Sequence, residues 1–134
     1  MWSRFFASAE LKFYEDIDVC LQDRKPNLIL LSGVIQCLEN PYELIHKLLD
    51  KKFKYIVFDR TAFTKDEKLE ILMLQKVHPN IYQASYPAWF LNKNKFLSYF
   101  QNKYDLMAEF DSQDRVNVES NYKGFIFKRR ENAK

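Results

Sequence analysis

Two continuous apolar runs of strand length, separated by one helical segment, constrain the fold of this chain most strongly. The runs NLILLSGV and KYIVFDR occupy residues 27–34 and 54–60. Runs of this kind are typical of strands buried on both faces of a parallel sheet. Between them, apolar residues recur at helical spacing from Pro41 to near Lys52, with Asn40 as the N-cap. The order strand, helix, strand predicts a right-handed βαβ crossover, with the first run as a central parallel strand.

The remaining segments have less regular patterns. Residues 11–19 begin with a β-prone run and then turn acidic, which predicts a strand ending near Glu15. Residues 66–77 fit neither the helical nor the strand period cleanly, and we predict a strand there. Residues 78–90 contain two prolines and four aromatic residues, which indicates a long irregular loop with a functional role. Asn92 is then placed to cap a helix that extends to about Asn102.

The end of the chain predicts a hairpin. Residues 104–110 and 122–130 read as two strands joined by a polar link, so they are expected to pair antiparallel. Together the elements predict an α/β fold, the C-terminal portion of a doubly wound, Rossmann-like sheet. This sheet is expected to be mostly parallel, with the terminal hairpin antiparallel.

Composition limits the classes of function. A chain of 134 residues that is 47% apolar suits a single domain with a buried core, here 1–134. The net charge of +3 is spread over interleaved acids and bases, which argues against a nucleic-acid partner. Cys20 and Cys37 lack the spacing of a metal knuckle or redox pair, so we expect no metal site and a cytoplasmic location. No apolar run approaches the roughly 20 residues of a membrane span, and the basic end at 128–134 is interpreted as a solvated terminus.

Glycine is scarce, since Gly33 and Gly124 are the only two in the sequence. Phosphate-cradling loops and dinucleotide fingerprints need glycines clustered at a strand-to-helix turn, because side chains there block the ligand's approach to the backbone. The sequence contains no such cluster. A nucleotide-like cofactor would therefore have to be held in another way.

Four segments of the sequence carry a resemblance to a known family: LLSGVIQCLENPYELI, YIVFDRTAF, LQKVHPNIYQASYPAWF and GFIFKRR. They resemble class I S-adenosylmethionine-dependent methyltransferases found among bacterial surface-polysaccharide genes. The similarity runs in one register from about residue 11 to residue 129, and the DRTAF and SYPAWF pieces are its distinctive parts. The resemblance implies S-adenosylmethionine as cofactor and a sugar or surface-polysaccharide precursor as methyl acceptor.

The sequence departs from the family pattern at its start. In that fold a Gly-rich loop after the first strand and an acidic residue ending the second hold the cofactor, and neither has a counterpart before residue 11. We therefore expect a chain that starts near the third strand of the fold, either as a fragment or as a naturally shortened form. It should bind S-adenosylmethionine weakly or not at all, and be inactive alone. The sheet edge left open predicts self-association.

Candidate cofactor residues lie after the first apolar run. Ligands of open α/β sheets bind beyond the carboxyl ends of the strands, so Ser32 and Gly33 are expected on the floor of the cleft, with Gln36 as a further polar contact. A plain strand-to-helix connection is the alternative. By resemblance, Glu15 and Asp16 would lie near the adenine; as an alternative they are ordinary loop acids.

Candidate catalytic residues are Asp59 and Arg60, which directly follow the second apolar run, and His78 in the long loop. Asp59 and Arg60, with Thr61 beside them, suit the orientation of a substrate hydroxyl or the binding of an anionic sugar, or else form a structural salt bridge. His78 is the tempting base, although a lone loop histidine is more often a surface residue.

The aromatic residues Tyr82, Tyr86 and Trp89 are candidates for substrate binding. They suit stacking on a sugar or facing a sulfonium cation, or alternatively packing over the sheet as core. Two other functions remain open: a non-catalytic methyltransferase-like module that pairs through its open sheet edge, and an unrelated small α/β binding protein whose aromatic loop holds a ligand.

Overall fold

The computed structural model describes residues 6–132, so the last two residues of the basic end at 128–134 lie outside it. The helices are α1 (Ile17–Asp23), α2 (Pro41–Lys51) and α3 (Lys93–Ser98), with a 3-10 turn at Ile35–Cys37. The strands are β1 (Leu28–Ser32), β2 (Tyr55–Thr64), β3 (Ile71–Lys76), β4 (Ser85–Phe90), β5 (Tyr104–Asp111) and β6 (Ser120–Arg129). Among these residues, no helix is long and apolar enough to cross a membrane.

A mixed α/β architecture is confirmed, but the expectation of a mostly parallel sheet is wrong for the described residues. The main sheet has the order β1-β2-β6-β5. Strands β1 and β2 pair in parallel, while β6 pairs antiparallel with both β2 and β5. The reason is that the last strand, β6, lies between β2 and β5 and runs antiparallel to both. The pair β1 and β2 is therefore the one parallel pair of this four-stranded sheet.

The predicted strand, helix, strand unit is confirmed in β1, α2 and β2. Helix α2 begins at Pro41, and it ends where Lys52 adopts a left-handed conformation with φ 60°. Three of its apolar residues, Ile45, Leu48 and Leu49, are buried against the sheet. Asn40 is the N-cap by position, although its side chain makes no capping hydrogen bond.

Strand β1 was expected to be central and buried on both faces, and this expectation is wrong. It lies at the end of the sheet, and only Leu31 of its five residues is buried. Leu28 and Leu30 are 48% and 58% exposed. The core helices pack on the face of β1 that carries Leu31, so the face that carries Leu28 and Leu30 stays open. The apolar composition of the strand alone did not reveal this difference between its two faces.

The strand expected within residues 11–19 is also absent. Asp16 instead caps α1, because its carboxylate accepts a hydrogen bond of 2.8 Å from the Val19 N–H. Ile17 and Leu21 pack against the core, and Asp18 forms a salt bridge with Lys51 of α2. The acidic residues therefore start a helix by capping it, and the β-propensity of the residues before them does not produce a strand.

Residues 66–90 form a second, two-stranded sheet. The predicted strand in 66–77 is confirmed as β3, but the loop predicted for 78–90 is wrong over its last six residues, which form β4. The two strands pair antiparallel from Ile71 opposite Phe90 to Lys76 opposite Ser85. Beyond β4, Leu91 bridges to Phe63 and so joins this hairpin to the far end of β2.

The last elements agree with the sequence. Asn92 caps α3 by accepting a hydrogen bond of 2.9 Å from the Lys95 N–H, although the helix ends at Ser98 rather than near Asn102. The predicted terminal hairpin is confirmed in β5 and β6. Gly124 of β6 leaves room for the Phe110 ring, because a Cβ atom there would lie 2.1 Å from the ring and displace it.

Phe96 of α3 is the centre of an aromatic core between the helices and the sheet. It is fully buried, with ring centroids of its neighbours 5.0 to 6.4 Å away. Such edge-on and tilted pairs add stability beyond the area that they bury. The neighbouring rings are those of Phe58, Phe63, Phe100, Phe125 and Phe127.

We predict that Phe96→Ala lowers the free energy of unfolding by about 3–5 kcal/mol, because it leaves a cavity among packed rings. The matched control is Phe13→Ala, since the Phe13 side chain is 41% exposed; it should change stability by less than about 1 kcal/mol. Urea denaturation followed by circular dichroism measures both. Equal losses in the two variants would contradict this description of the core.

Candidate functional site

The turn after β1 opens the candidate site. Gly33 has φ 65°, a left-handed conformation that favours glycine, and its N–H donates a hydrogen bond of 2.9 Å to the Asp59 carbonyl. A Cβ atom on Gly33 would meet nothing within 4 Å, and Ser32 before it is exposed. The backbone at this turn is therefore accessible to a ligand.

The 3-10 turn that follows carries a buried side-chain amide, that of Gln36, which contacts strand β2. Gln36 is only 6% exposed, and its Nε2 donates a hydrogen bond of 2.8 Å to the Arg60 carbonyl. Within residues 6–132, its Oε1 and the Oγ1 of the fully buried Thr61 are buried atoms without a hydrogen-bond partner. Gln36 thus ties the end of β1 to β2 through its Nε2, and a substrate contact by Thr61 would need the residues that cover Thr61 to move.

Asp59 and Arg60 form a bulge inside β2. The sequence had instead suggested that the strand ends at these two residues. The pairing with β6 shifts between Phe58 and Thr61, and Arg60 has φ 53°. A non-glycine residue in this region is held there by its surroundings. The Arg60 N–H donates to Asp59 Oδ1 at 2.8 Å and to Ser112 Oγ at 3.1 Å, and Ser112 Oγ donates to Asp59 Oδ1 at 2.9 Å.

The guanidinium of Arg60 pairs with Asp114 and not with Asp59. Its Nε lies 3.1 Å from both Asp114 carboxylate oxygens, and its Nη2 lies 2.9 Å from Oδ1. This carboxylate raises the pKa of the Arg60 guanidinium above its ordinary value. The alternative of a salt bridge between Asp59 and Arg60 is therefore wrong, because the Arg60 guanidinium pairs with Asp114 instead.

Sequence reasoning missed Ser112 and Asp114, which it assigned to a featureless polar link. The signal was indirect. Strand β6 pairs with Thr61 of β2 and with Asp111 of β5 through the same residue, Lys123. Because Lys123 lies between Thr61 and Asp111, the residues that follow Asp111 lie beside the bulge. The sequence alone does not give this pairing.

A cavity of about 690 Å³ lies between the β3–β4 hairpin and residues 115–118. Tyr82 and Tyr86 line it and are 58% and 40% exposed. Burial of its phenol raises the pKa of Tyr86, as do the neighbouring Cys37 and Tyr122. Strand β4 also packs against the 3-10 turn, so Tyr86 stands between the cavity and the bulge.

His78 lines the same cavity at its exposed end. Its Nδ1 accepts a hydrogen bond of 3.3 Å from the Asn80 N–H. His78 therefore contacts the backbone of its own turn while it lines the cavity.

Trp89 does not share this cavity, because alternate residues of a strand point to opposite faces. It lines a second cavity of about 380 Å³ beside a polar cluster centred on Glu70. Glu70 accepts hydrogen bonds from the Tyr42 hydroxyl, from the Asn92 N–H at 3.1 Å and from Lys95 Nζ at 3.2 Å. Burial and the bond to Glu70 raise the pKa of Tyr42, and the cluster fastens the hairpin base to α2 and α3.

The remaining sequence candidates lie elsewhere. Glu15 is exposed and Asp16 caps α1, and the strand on which their predicted cofactor role rested is not formed. Within the described part of the chain, no three His, Cys, Asp or Glu side chains are grouped so as to hold a metal ion. The structure therefore brings together the residues after β1, the β2 bulge and the two cavity tyrosines.

Comparisons with known proteins give little further information. No family model matches the chain, and no curated protein matches it. A solved structure to which it is similar is the N-terminal domain of EvdMO1 in the presence of SAH and D-fucose, with a TM-score of 0.49 and 14% sequence identity. The similarity covers 77% of this chain and 47% of that chain, so this chain spans about half of its length. A similarity of this extent carries no argument about function.

We predict that Ser112→Ala destabilises the protein by about 1–3 kcal/mol, because it removes a buried hydroxyl that both donates and accepts at the bulge. The side chain of Ser112 is 7% exposed, whereas Ser85 on β4 is exposed, so Ser85→Ala is the matched control and should be near neutral. Urea denaturation measures the difference. A neutral Ser112→Ala would mean that the bulge does not depend on this hydroxyl.

Proposed function

We propose that the chain provides the acceptor side of a class I S-adenosylmethionine-dependent methyltransferase fold. The observation that carries the proposal is the strand order β1-β2-β6-β5, with the last strand antiparallel between its neighbours. The sequence resemblance implies the same insertion of the last strand. Ligands of such sheets bind beyond the carboxyl ends of the parallel strands, which here are β1 and β2.

The residues beyond β1 fit the proposed cofactor in part. Ser32 is exposed and Gly33 leaves open space, so both suit contact with a ligand. Gln36 and Asp16 already direct their side chains to Arg60 and to α1. S-adenosylmethionine would supply a methyl group activated on a sulfonium, and Ser32 and Gly33 would hold one side of it.

The acceptor that we propose is a sugar, such as a surface-polysaccharide precursor, in the cavity under the β3–β4 hairpin. Its volume of about 690 Å³ suits a small molecule. Tyr82 and Tyr86 offer aromatic rings for the apolar face of a sugar, while Arg115 and Asn117 on the opposite wall offer donors to hydroxyl groups. Trp89 would support the hairpin from its other face.

The chemistry asks little of the side chains. Methyl transfer from an activated donor gains most from alignment of the reacting atoms and exclusion of water. Asp59 and Arg60 would act as positioning residues, because their polar groups hold the bulge and the wall that follows Asp114. His78 would contact the acceptor from the lining of the cavity.

A second candidate is a non-catalytic module that pairs through its open sheet edge. The observation that favours it is β1, a terminal strand without charged residues on which Leu28 and Leu30 are exposed. Uncharged edges of this kind recruit another strand. A module of this type would have no need of the residues after β1 or of the cavity for ligand binding.

Titration of the ¹⁵N-labelled chain with S-adenosylhomocysteine tests the proposed cofactor side. We expect amide shifts at residues 32–36 with millimolar affinity, because the sequence has no Gly-rich turn to hold the rest of the ligand. Adenosine is the control and should shift these amides less. Absence of shifts at millimolar ligand would contradict the proposal and favour the pairing module, while micromolar affinity would contradict the expectation of an incomplete cradle.

A sugar titration tests the acceptor side separately. We expect a hexose to shift the amides of residues 78–86 and 115–118, and Tyr82→Ala to weaken this binding about fivefold, since one aromatic contact contributes about 1 kcal/mol. Tyr14→Ala, outside the cavity, is the control. Equal affinity in the wild type and Tyr82→Ala would contradict the assignment of this cavity.

A further inference from the structure

The outer face of the β3–β4 hairpin carries exposed leucines. Strand alternation places Leu72 and Leu74 of β3 on this face, where they are 54% and 64% exposed. On the opposite face, Ala88 and Phe90 are 1% and 2% exposed. Trp89, opposite Leu72, packs against the core, so the exposed apolar part of the outer face lies at Leu72 and Leu74.

The tip of the hairpin extends this surface. Ile81 is 70% exposed and Tyr82 is 58% exposed. Among the exposed large apolar side chains of the described residues, Ile81 and Leu74 have the greatest exposure. Contiguous apolar surface of this kind marks a docking site more often than a free surface.

The charges around the tip have one sign. Lys76 follows Leu72 and Leu74 in the alternation of β3 and is exposed, and Arg115 lies across the cavity from the tip. Arg115 is held in place by hydrogen bonds from its Nη1 to the carbonyls of Ser112 and Asp114. No Asp or Glu lines this cavity in the part of the chain that the structure describes. The apolar tip is thus accompanied by basic groups.

We propose that the β3–β4 hairpin docks on an anionic lipid surface. Leu74, Ile81 and Tyr82 would enter the interface between headgroups and acyl chains, and Lys76 and Arg115 would contact the headgroup phosphates. Aromatic, aliphatic and basic side chains in this arrangement are typical of interfacial segments. The proposal does not depend on the proposed methyltransferase function.

Charge decides against a second copy of the chain as the occupant. Two copies related by a two-fold axis through this surface would present the same basic patch on both sides of the contact, so Lys76 and Arg115 would meet no acidic partner there. Like charges that face each other oppose association. A surface of anionic headgroups instead complements Lys76 and Arg115 while it accepts the apolar side chains.

The test is co-sedimentation of the chain with vesicles of phosphatidylcholine and phosphatidylserine. We expect binding that falls at high salt and that is weaker on vesicles of phosphatidylcholine alone. The double variant Leu74→Ser, Ile81→Ser should bind at least about tenfold more weakly, since two apolar side chains no longer enter the interface. Leu30→Ser on β1 is the matched control, because Leu30 is 58% exposed, and it should bind as the wild type does.

Circular dichroism and sedimentation velocity accompany the binding measurement. Because the substituted side chains are exposed, both variants should keep the wild-type spectrum and melting temperature. Failure of the wild type to bind anionic vesicles would overturn the proposal, as would an equal loss in Leu30→Ser. A wild type that is dimeric, with a monomeric double variant, would identify self-association as the use of this surface and would also overturn it.

Discussion

The interruption of β2 at Asp59 and Arg60 is the constraint on which the candidate site depends. On one side β2 pairs with β6 almost throughout, but on the other its first half pairs with β1 and its second half meets Leu91. The bulge lies between the part of β2 that pairs with β1 and the part that meets Leu91. The bulge supplies one extra residue there, and the Arg60 carbonyl receives the amide of Gln36 in the gap.

The bulge also links the two parts of the candidate site. Its backbone touches the turn after β1 through Gln36, while its guanidinium holds Asp114, the residue before the wall formed by residues 115–118. The left-handed conformation of Arg60 is what directs carbonyl and side chain to different partners. That conformation is disfavoured for a residue with a side chain, so the contacts of Arg60 on both sides must hold it in place.

Much of this fold was readable from residue patterns, and the failures share a cause. Helix α2 and the β5–β6 hairpin follow from Pro41, from helical spacing and from alternation, all of which are local signals. The exposure of Leu28 and Leu30, the pairing of β4 and the contacts of Ser112 and Asp114 depend on which segments become neighbours, and that information is non-local. Tyr82 and Tyr86 were candidates because they lie in a segment predicted to be a functional loop, whereas their separation from Trp89 depends on the strand register.

The register of the hairpin determines which side chains serve the cavity and which form the outer surface. Gln75 lies opposite Tyr86 and Leu74 lies opposite Pro87, so Tyr86 and Phe90 share one face while Leu72, Leu74 and Trp89 share the other. A shift by one residue would exchange these faces and turn the buried Ala88 and Phe90 to solvent. The polar cluster of Glu70 with Tyr42 and Lys95 fastens the base of β3, and the contact of Phe90 with Tyr122 fastens the end of β4. The same register that turns Tyr86 to the cavity therefore leaves Leu72 and Leu74 exposed, with Leu74 also at the border of the cavity.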